Sequence, residues 1–334
     1  MNVNTAMPML GSMPSTTPSR DNLQIFDAVK EGDLGQIRDL FDQGKYPADA
    51  VLVGVMVELE PEGSIGPGAG EYFKSIGQAY PESSKGRPVI PVPINSLSQL
   101  HSPDQDVETL KGVVKAELEK FDGIVIPGDP FNFPPIRKSQ DPQKALREYD
   151  GKPDLHDDMT IYGSSAREFY KKFPDHALNP LTASLNFEAE MVRQLRKSDR
   201  PVMASCHGMQ MYAVMQGATM VAGITGHNHE GPDDVPVKPG SMAHGYLGDM
   251  DSTSLHIHKL GLDSQGLPQN LEVVGEMEGV VEIIEEQFGK PVVAYQSHPE
   301  FVRHHPSIEF FVSAVVQRHL KHEAFAELDA AKPL

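Results

Sequence analysis

Apolar and polar positions fall into two kinds of block along the 334-residue chain. Short continuous apolar runs at 50–57, 88–93, 123–127, 201–205 and 291–295 read as buried strands. A strand covered on both faces has no polar side to alternate with. Segments 105–120, 182–197 and 208–216 instead carry apolar residues at helical spacing. Residues 253–296 read as several shorter strands, and Pro306 opens a last helix with Ile308, Phe311, Val312, Val315 and Val316 on its apolar face. Strand and helix alternate, which predicts an α/β fold: a mostly parallel central sheet flanked by helices in flavodoxin-like layers. Function in such a fold sits at the C-terminal ends of the strands.

Ahead of this domain, placed at 49–325, the pattern changes. Residues 1–21 are rich in Met, Ser, Thr and Pro and predict a disordered tail. Residues 22–48 carry two short apolar faces, Ile25, Phe26 and Val29, then Ile37, Leu40 and Phe41, broken at Gly32-Asp33 and closed by Gly44. This small N-terminal helical hairpin resembles most of one ankyrin repeat, with no second copy in the chain. A lone repeat cannot bury both of its sides. Packing on the main domain is therefore favoured, and a protein partner bound through the hairpin is the alternative. Residues 131–181 form a long excursion read as an insertion and candidate lid. Its Arg137 and Lys138 could face an acidic substrate.

Composition narrows the function. With 39% hydrophobic residues the chain can bury a sizeable core, and no apolar run approaches the roughly 20 residues of a membrane span. The first residues lack the basic start and compact apolar core of a signal peptide. A net charge of −18 disfavours nucleic acid and acidic membranes as partners. The one cysteine, Cys206, excludes an intrachain disulfide and fits a reducing, cytoplasmic setting. A homodimer stays open.

That cysteine stands in "RPVMASCHGMQMYAVMQGATM", at the junction of a strand-like and a helix-like run. An isolated cysteine is usually an inert small hydrophobe. Here Ala204 and Ser205 precede it and Gly208 follows. A nucleophile lifted on a sharp strand-to-helix turn needs such small neighbours. The free N–H groups of the helix start favour a thiolate and can hold an oxyanion. A base and an orienting acid come from "KPVVAYQSHPEFV", where stiff Pro299 separates His298 from Glu300 at a strand end. In "FDGIVIPGDPFNFPP", Gly128 ends a strand, and a glycine there lets backbone N–H groups approach a substrate oxygen. The histidine pairs 227/229, 256/258 and 304/305 invite a metal. Zinc needs three or four ligands in one frame. No cysteine lies near any pair, so no metal is expected, and hydrolysis by a cysteine nucleophile needs no cofactor.

Pro127-Gly128, the C-x-G-x-Q elbow from Cys206 to Gln210, and Gln296-Ser297-His298-Pro299-Glu300 together resemble the class I glutamine amidotransferase superfamily. The nearest likeness is to its free-standing gamma-glutamyl hydrolase branch, including gamma-glutamyl-GABA hydrolase-like proteins. Weaker support comes from 238–247 and 258–285, and the resemblance covers roughly residues 50–320. It implies Cys206 as nucleophile, His298 as general base then acid, and Glu300 as its orienter. It further implies an oxyanion hole from the N–H groups of Gly128 and His207. Gln210 falls where the family contacts the glutamyl head group, and His258 becomes a substrate-pocket candidate. The substrate implied is a small gamma-glutamyl compound.

Four positions depart from the family pattern. Ala204 replaces a glycine, His207 an arginine, Ser297 an aromatic, and Ile257-His258 a histidine pair. The first three neighbour the catalytic motifs; losing a fixed cation there would disfavour an acidic leaving amine such as GABA, and losing an aromatic would leave room for a bulkier one. Two other readings stay open beside hydrolysis. One is a glutaminase subunit passing ammonia to a separate synthetase, and the other a non-enzymatic binding protein on the same fold.

Overall fold

The computed structural model describes residues 20–57, 67–79, 81–95, 107–128, 179–222, 224, 228–232, 234–252, 255–258 and 260–330. Residues 1–19 of the tail expected at 1–21, together with His227, Arg137, Lys138 and nearly all of the candidate lid, lie outside the described residues, and the last two tail residues, Arg20 and Asp21, open a helix instead.

Two helices, α1 (Arg20–Glu31) and α2 (Leu34–Asp42), precede strand β1 (Val51–Val57). Helices α3 (Pro67–Gly77) and α4 (Pro81–Ser84) lead to β2 (Val89–Asn95), then α5 (Val107–Leu118) and β3 (Gly123–Ile126). After α6 (Asn179–Leu195) come β4 (Val202–Ser205) and α7 (His207–Val214). Short strands β5 (Met220–Ala222), β6 (Asn228–Pro232), β7 (Val235–Pro236), β8 (Met250–Asp251), β9 (Leu255–Ile257) and β10 (Leu260–Leu262) follow, with α8 (Met242–Leu247) among them. The chain closes with β11 (Leu271–Met277), β12 (Val280–Glu286), β13 (Val292–Tyr295) and α9 (Pro306–Ala330).

Among the described residues, seven strands form the central sheet in the order β11-β12-β13-β4-β3-β1-β2. The five from β13 to β2 pair parallel, and β11 and β12 add an antiparallel edge. The expected mostly parallel sheet between helices is what the chain forms. Every residue of β1, β3, β4 and β13 is buried, in keeping with helices on both faces. Among the described residues no helix is long and apolar enough to cross a membrane.

Register decides what reaches the C-terminal rim. Ile126 on β3 pairs with Ala204 on β4, and Tyr295 on β13 pairs with Ser205. The residues that follow, Gly128, Cys206 and Gln296 to Glu300, therefore leave three adjacent parallel strands at one level. Sequence reading placed no helix at α3. Its residues Ala69, Tyr72, Phe73 and Ile76 are buried at helical spacing, but Gly66, Pro67, Gly68 and Gly70 mask the pattern.

Helices α1 and α2 bury Ile25, Ala28, Val29, Ile37, Leu40 and Phe41 in the same apolar cluster as the sheet. Asp33 caps α2 by accepting the Gln36 N–H at 2.9 Å. Phe41 stacks between Tyr46 and Phe121, with centroids at 5.6 and 5.5 Å. Arg38 pairs with buried Glu117 of α5 and donates to the Pro93 carbonyl of β2 at 3.1 Å. Phe41→Ala should cost about 3–5 kcal/mol, as deleting a buried ring does, and shift the single denaturation midpoint of the whole chain. A midpoint at the wild-type value would mean that α1 and α2 unfold apart from the sheet.

Candidate active site

Cys206 stands between β4 and α7 with φ 48° and ψ −110°, a conformation that L-residues seldom adopt. Its N–H donates to the Tyr295 carbonyl at 2.7 Å, and its carbonyl accepts the Gln210 N–H at 3.1 Å. The backbone is thus held on both sides, which is how a strained turn persists. Gly208 explains the tightness of the turn. A Cβ there would lie 2.0 Å from the Ile126 carbonyl oxygen. Helix α7 therefore starts pressed onto the end of β3, and its first N–H groups have no intrahelical acceptor.

His298 hydrogen-bonds Cys206 and also Glu300, whose Oε1 lies 2.7 Å from its Nδ1. Its backbone is fixed as well, since its N–H donates to the Leu255 carbonyl at 2.9 Å. Burial pulls the imidazole pKa down. The charges of Glu300 and Cys206 outweigh that and hold it well above the usual 6.5. The structure thus brings together sulfur, imidazole and carboxylate, in an arrangement able to form a thiolate–imidazolium pair.

Around these three lies a network that sequence reading did not find. The Gly128 N–H donates to Ser205 Oγ at 3.0 Å, and Ser205 Oγ reaches Glu300 Oε1 at 3.4 Å. Tyr72 of α3 is fully buried with its hydroxyl beside Ser205 and Glu300, and burial and the Glu300 charge push its pKa well above 10. A Cβ on Gly128 would come within 2.5 Å of His298 Cε1 and 3.2 Å of Cys206 Cβ. A glycine is what lets the loop after β3 lie against both side chains.

The other predicted residues divide. Gln210 Nε2 donates to Gln296 Oε1 at 3.1 Å, and Gln296 Nε2 faces Cys206 Sγ at 3.8 Å, so Gln210 is one side chain removed from the sulfur. The His207 ring does not stand open beside the cysteine. It is buried, with Nε2 3.0 Å from Glu188 Oε2 of α6, because a strand-to-helix turn aims the first helical side chain at the neighbouring helix. The buried His258 ring lies against Glu282 of β12, with Nε2 3.3 Å from Oε1. Glu282 was readable only as one acid inside the apolar run "VVEII".

Residues 179–314 match the family model of glutamine amidotransferase class-I. The matched span holds Cys206, Gln210, His258, His298 and Glu300, whereas Tyr72 and Gly128 precede it. No curated protein matches the sequence. Two solved structures resemble the chain in fold. One, from Thermoplasma acidophilum, is assigned to GMP synthase as one of its subunits; at 13% identity the match covers 83% of this chain and 98% of that one, with a TM-score of 0.45. The other is a glutamine amidotransferase from Thermotoga maritima, at 13% identity, 81% and 98% coverage and a TM-score of 0.42.

Proposed function

We propose that the chain is a cysteine-dependent hydrolase that cleaves a gamma-glutamyl amide or peptide bond through a glutamyl thioester. The observation that carries this reading is Cys206 on its strained turn, hydrogen-bonded to a His298 ring that Glu300 holds through Nδ1. Cys206 Sγ attacks the gamma-carbonyl carbon, and the electron pair of that C=O moves onto oxygen. The N–H groups of Gly128 and His207 receive the oxyanion, once the Ser205 hydroxyl releases the Gly128 N–H. As the C–N bond breaks, His298 gives its proton to the leaving amine. Water then attacks the thioester, loses a proton to His298, and glutamate departs as the C–S bond breaks and the thiol reforms. Gln210 and Gln296 offer amides to the glutamyl head group. The His207 ring, tied to Glu188, takes no part in choosing the leaving amine. The single thiol suits a reducing compartment, and we assign the activity to the cytoplasm.

A second reading, a glutaminase that passes ammonia to a separate synthetase, is favoured by the description of the matched family. One experiment separates them. Purified chain is given glutamine and a panel of gamma-glutamyl amides and peptides, and released glutamate is measured, with Cys206→Ala as control. Hydrolysis predicts partner-free turnover of a panel member above that of glutamine, lowered at least about 10³-fold in the variant. Glutamine as best substrate would favour the glutaminase, and turnover that survives Cys206→Ala would sink both.

A further inference from the structure

His256 and His258, two residues apart at the end of β9, share a face because side chains alternate along an extended chain. That face meets Glu282 near the middle of β12. All three are buried, at 0%, 1% and 0% exposure. Nδ1 of His256 lies 3.0 Å from Glu282 Oε2, and Nε2 of His258 lies 3.3 Å from Oε1. The rings stand 6.0 Å apart and tilted by 53°, and one ligand atom from each residue falls within 4.8 Å of the other two. We infer that these three side chains bind a divalent transition-metal ion, zinc being the best fit.

Two lines of chemistry support this. Bonds of about 2.0–2.1 Å at tetrahedral angles put ligand atoms roughly 3.3 Å apart, close to both carboxylate–imidazole distances here. Two imidazoles and one carboxylate suit zinc and its first-row neighbours rather than calcium or magnesium, which take oxygen ligands. A metal was not expected from the sequence because no cysteine lies near the pair. Folding brings Glu282 from 24 residues beyond His258.

The site joins two strands that serve the cysteine. Leu255 of β9 accepts the His298 N–H at 2.9 Å, and the Glu282 carbonyl accepts the Gln296 N–H at 2.7 Å. An ion shared by β9 and β12 would fix the strand ends that seat His298 and Gln296. Its role would be to position them, with no part in the bond-breaking steps.

The test uses the full chain as Cys206→Ser, which removes the one thiolate that could compete for the metal. After chelator stripping, zinc is titrated calorimetrically, and cobalt(II) is added to read its visible d–d absorption. The expected result is about one equivalent per chain and an intense tetrahedral cobalt band. His258→Ala and Glu282→Gln should each weaken binding by more than the roughly 10–100-fold that losing an outer-shell partner costs. X-ray absorption of the zinc-loaded wild type, which needs no ligand variant to fold, should show imidazole and oxygen ligands without sulfur. Equal binding by the ligand variants and the Cys206→Ser parent would overturn the inference, as would a sulfur-containing shell or no binding above buffer.

Discussion

Glu300→Gln should lower kcat/KM by about 10²–10⁴-fold, as loss of the orienting acid does in comparable triads, and should move the alkaline limb of its pH profile downward. Glutamine fills the space of Glu300, which is 1% exposed, but carries no charge. Burial lowers the His298 pKa, and the Glu300 charge is the largest cause raising it, followed by Cys206. Without Glu300 the ring loses its proton at lower pH, so the acid needed by the leaving amine disappears sooner. The stability effect has a definite sign. Because the folded pKa lies above the unfolded value of about 6.5, the stabilisation from this pair is full just below that pH. It is lost as pH rises through the raised folded value. Unfolding of wild type and Glu300→Gln should thus differ most near the lower end of that window and converge above it. An alkaline limb that stays in place would mean that Glu300 does not govern the His298 proton.

The second large effect is expected from Gly208→Ala. The added carbon would meet backbone, with Ile126 O at 2.0 Å and Ile126 C at 2.7 Å, so no side-chain rotation relieves it. Either α7 lifts from β3 or β3 shifts outward, carrying Gly128 with it. Destabilisation of about 3 kcal/mol or more is expected, together with loss of turnover in whatever fraction stays folded. Thermal unfolding and the glutamate-release assay read the two parts. A native-like midpoint with full turnover would show that the turn is looser than its glycine implies.

Strands were legible where burial on both faces left an unbroken apolar run, as at β1, β4 and β13. The candidate site was legible where chemistry and backbone constraint coincide in a short stretch: cysteine with small neighbours, or His-Pro-Glu after a strand. Tyr72 was not, because the glycines and proline around α3 obscure a helix whose apolar residues nonetheless recur at three- and four-residue spacing. Ser205 drew notice only for its size, since its bonds to Gly128 and Glu300 join segments far apart in the chain. His207 misled for a related reason. Sequence shows that it neighbours the cysteine, while the direction of its ring depends on a helix that begins 28 residues earlier.

One edge of the sheet also bears on how the molecule meets other chains. The Pro88 carbonyl accepts the Val51 N–H, so even-numbered residues of β2 turn their peptide groups toward β1 and odd-numbered ones turn outward. The outward row includes Pro91 and Pro93, neither of which has an N–H to offer. The Pro93 carbonyl in that row is already taken by Arg38. An incoming strand would find missing donors at alternate positions and an acceptor in use, so β2 is a poor template for strand addition. The prolines cost the fold no bond to β1, and they end the sheet where an open row of donors would invite aggregation.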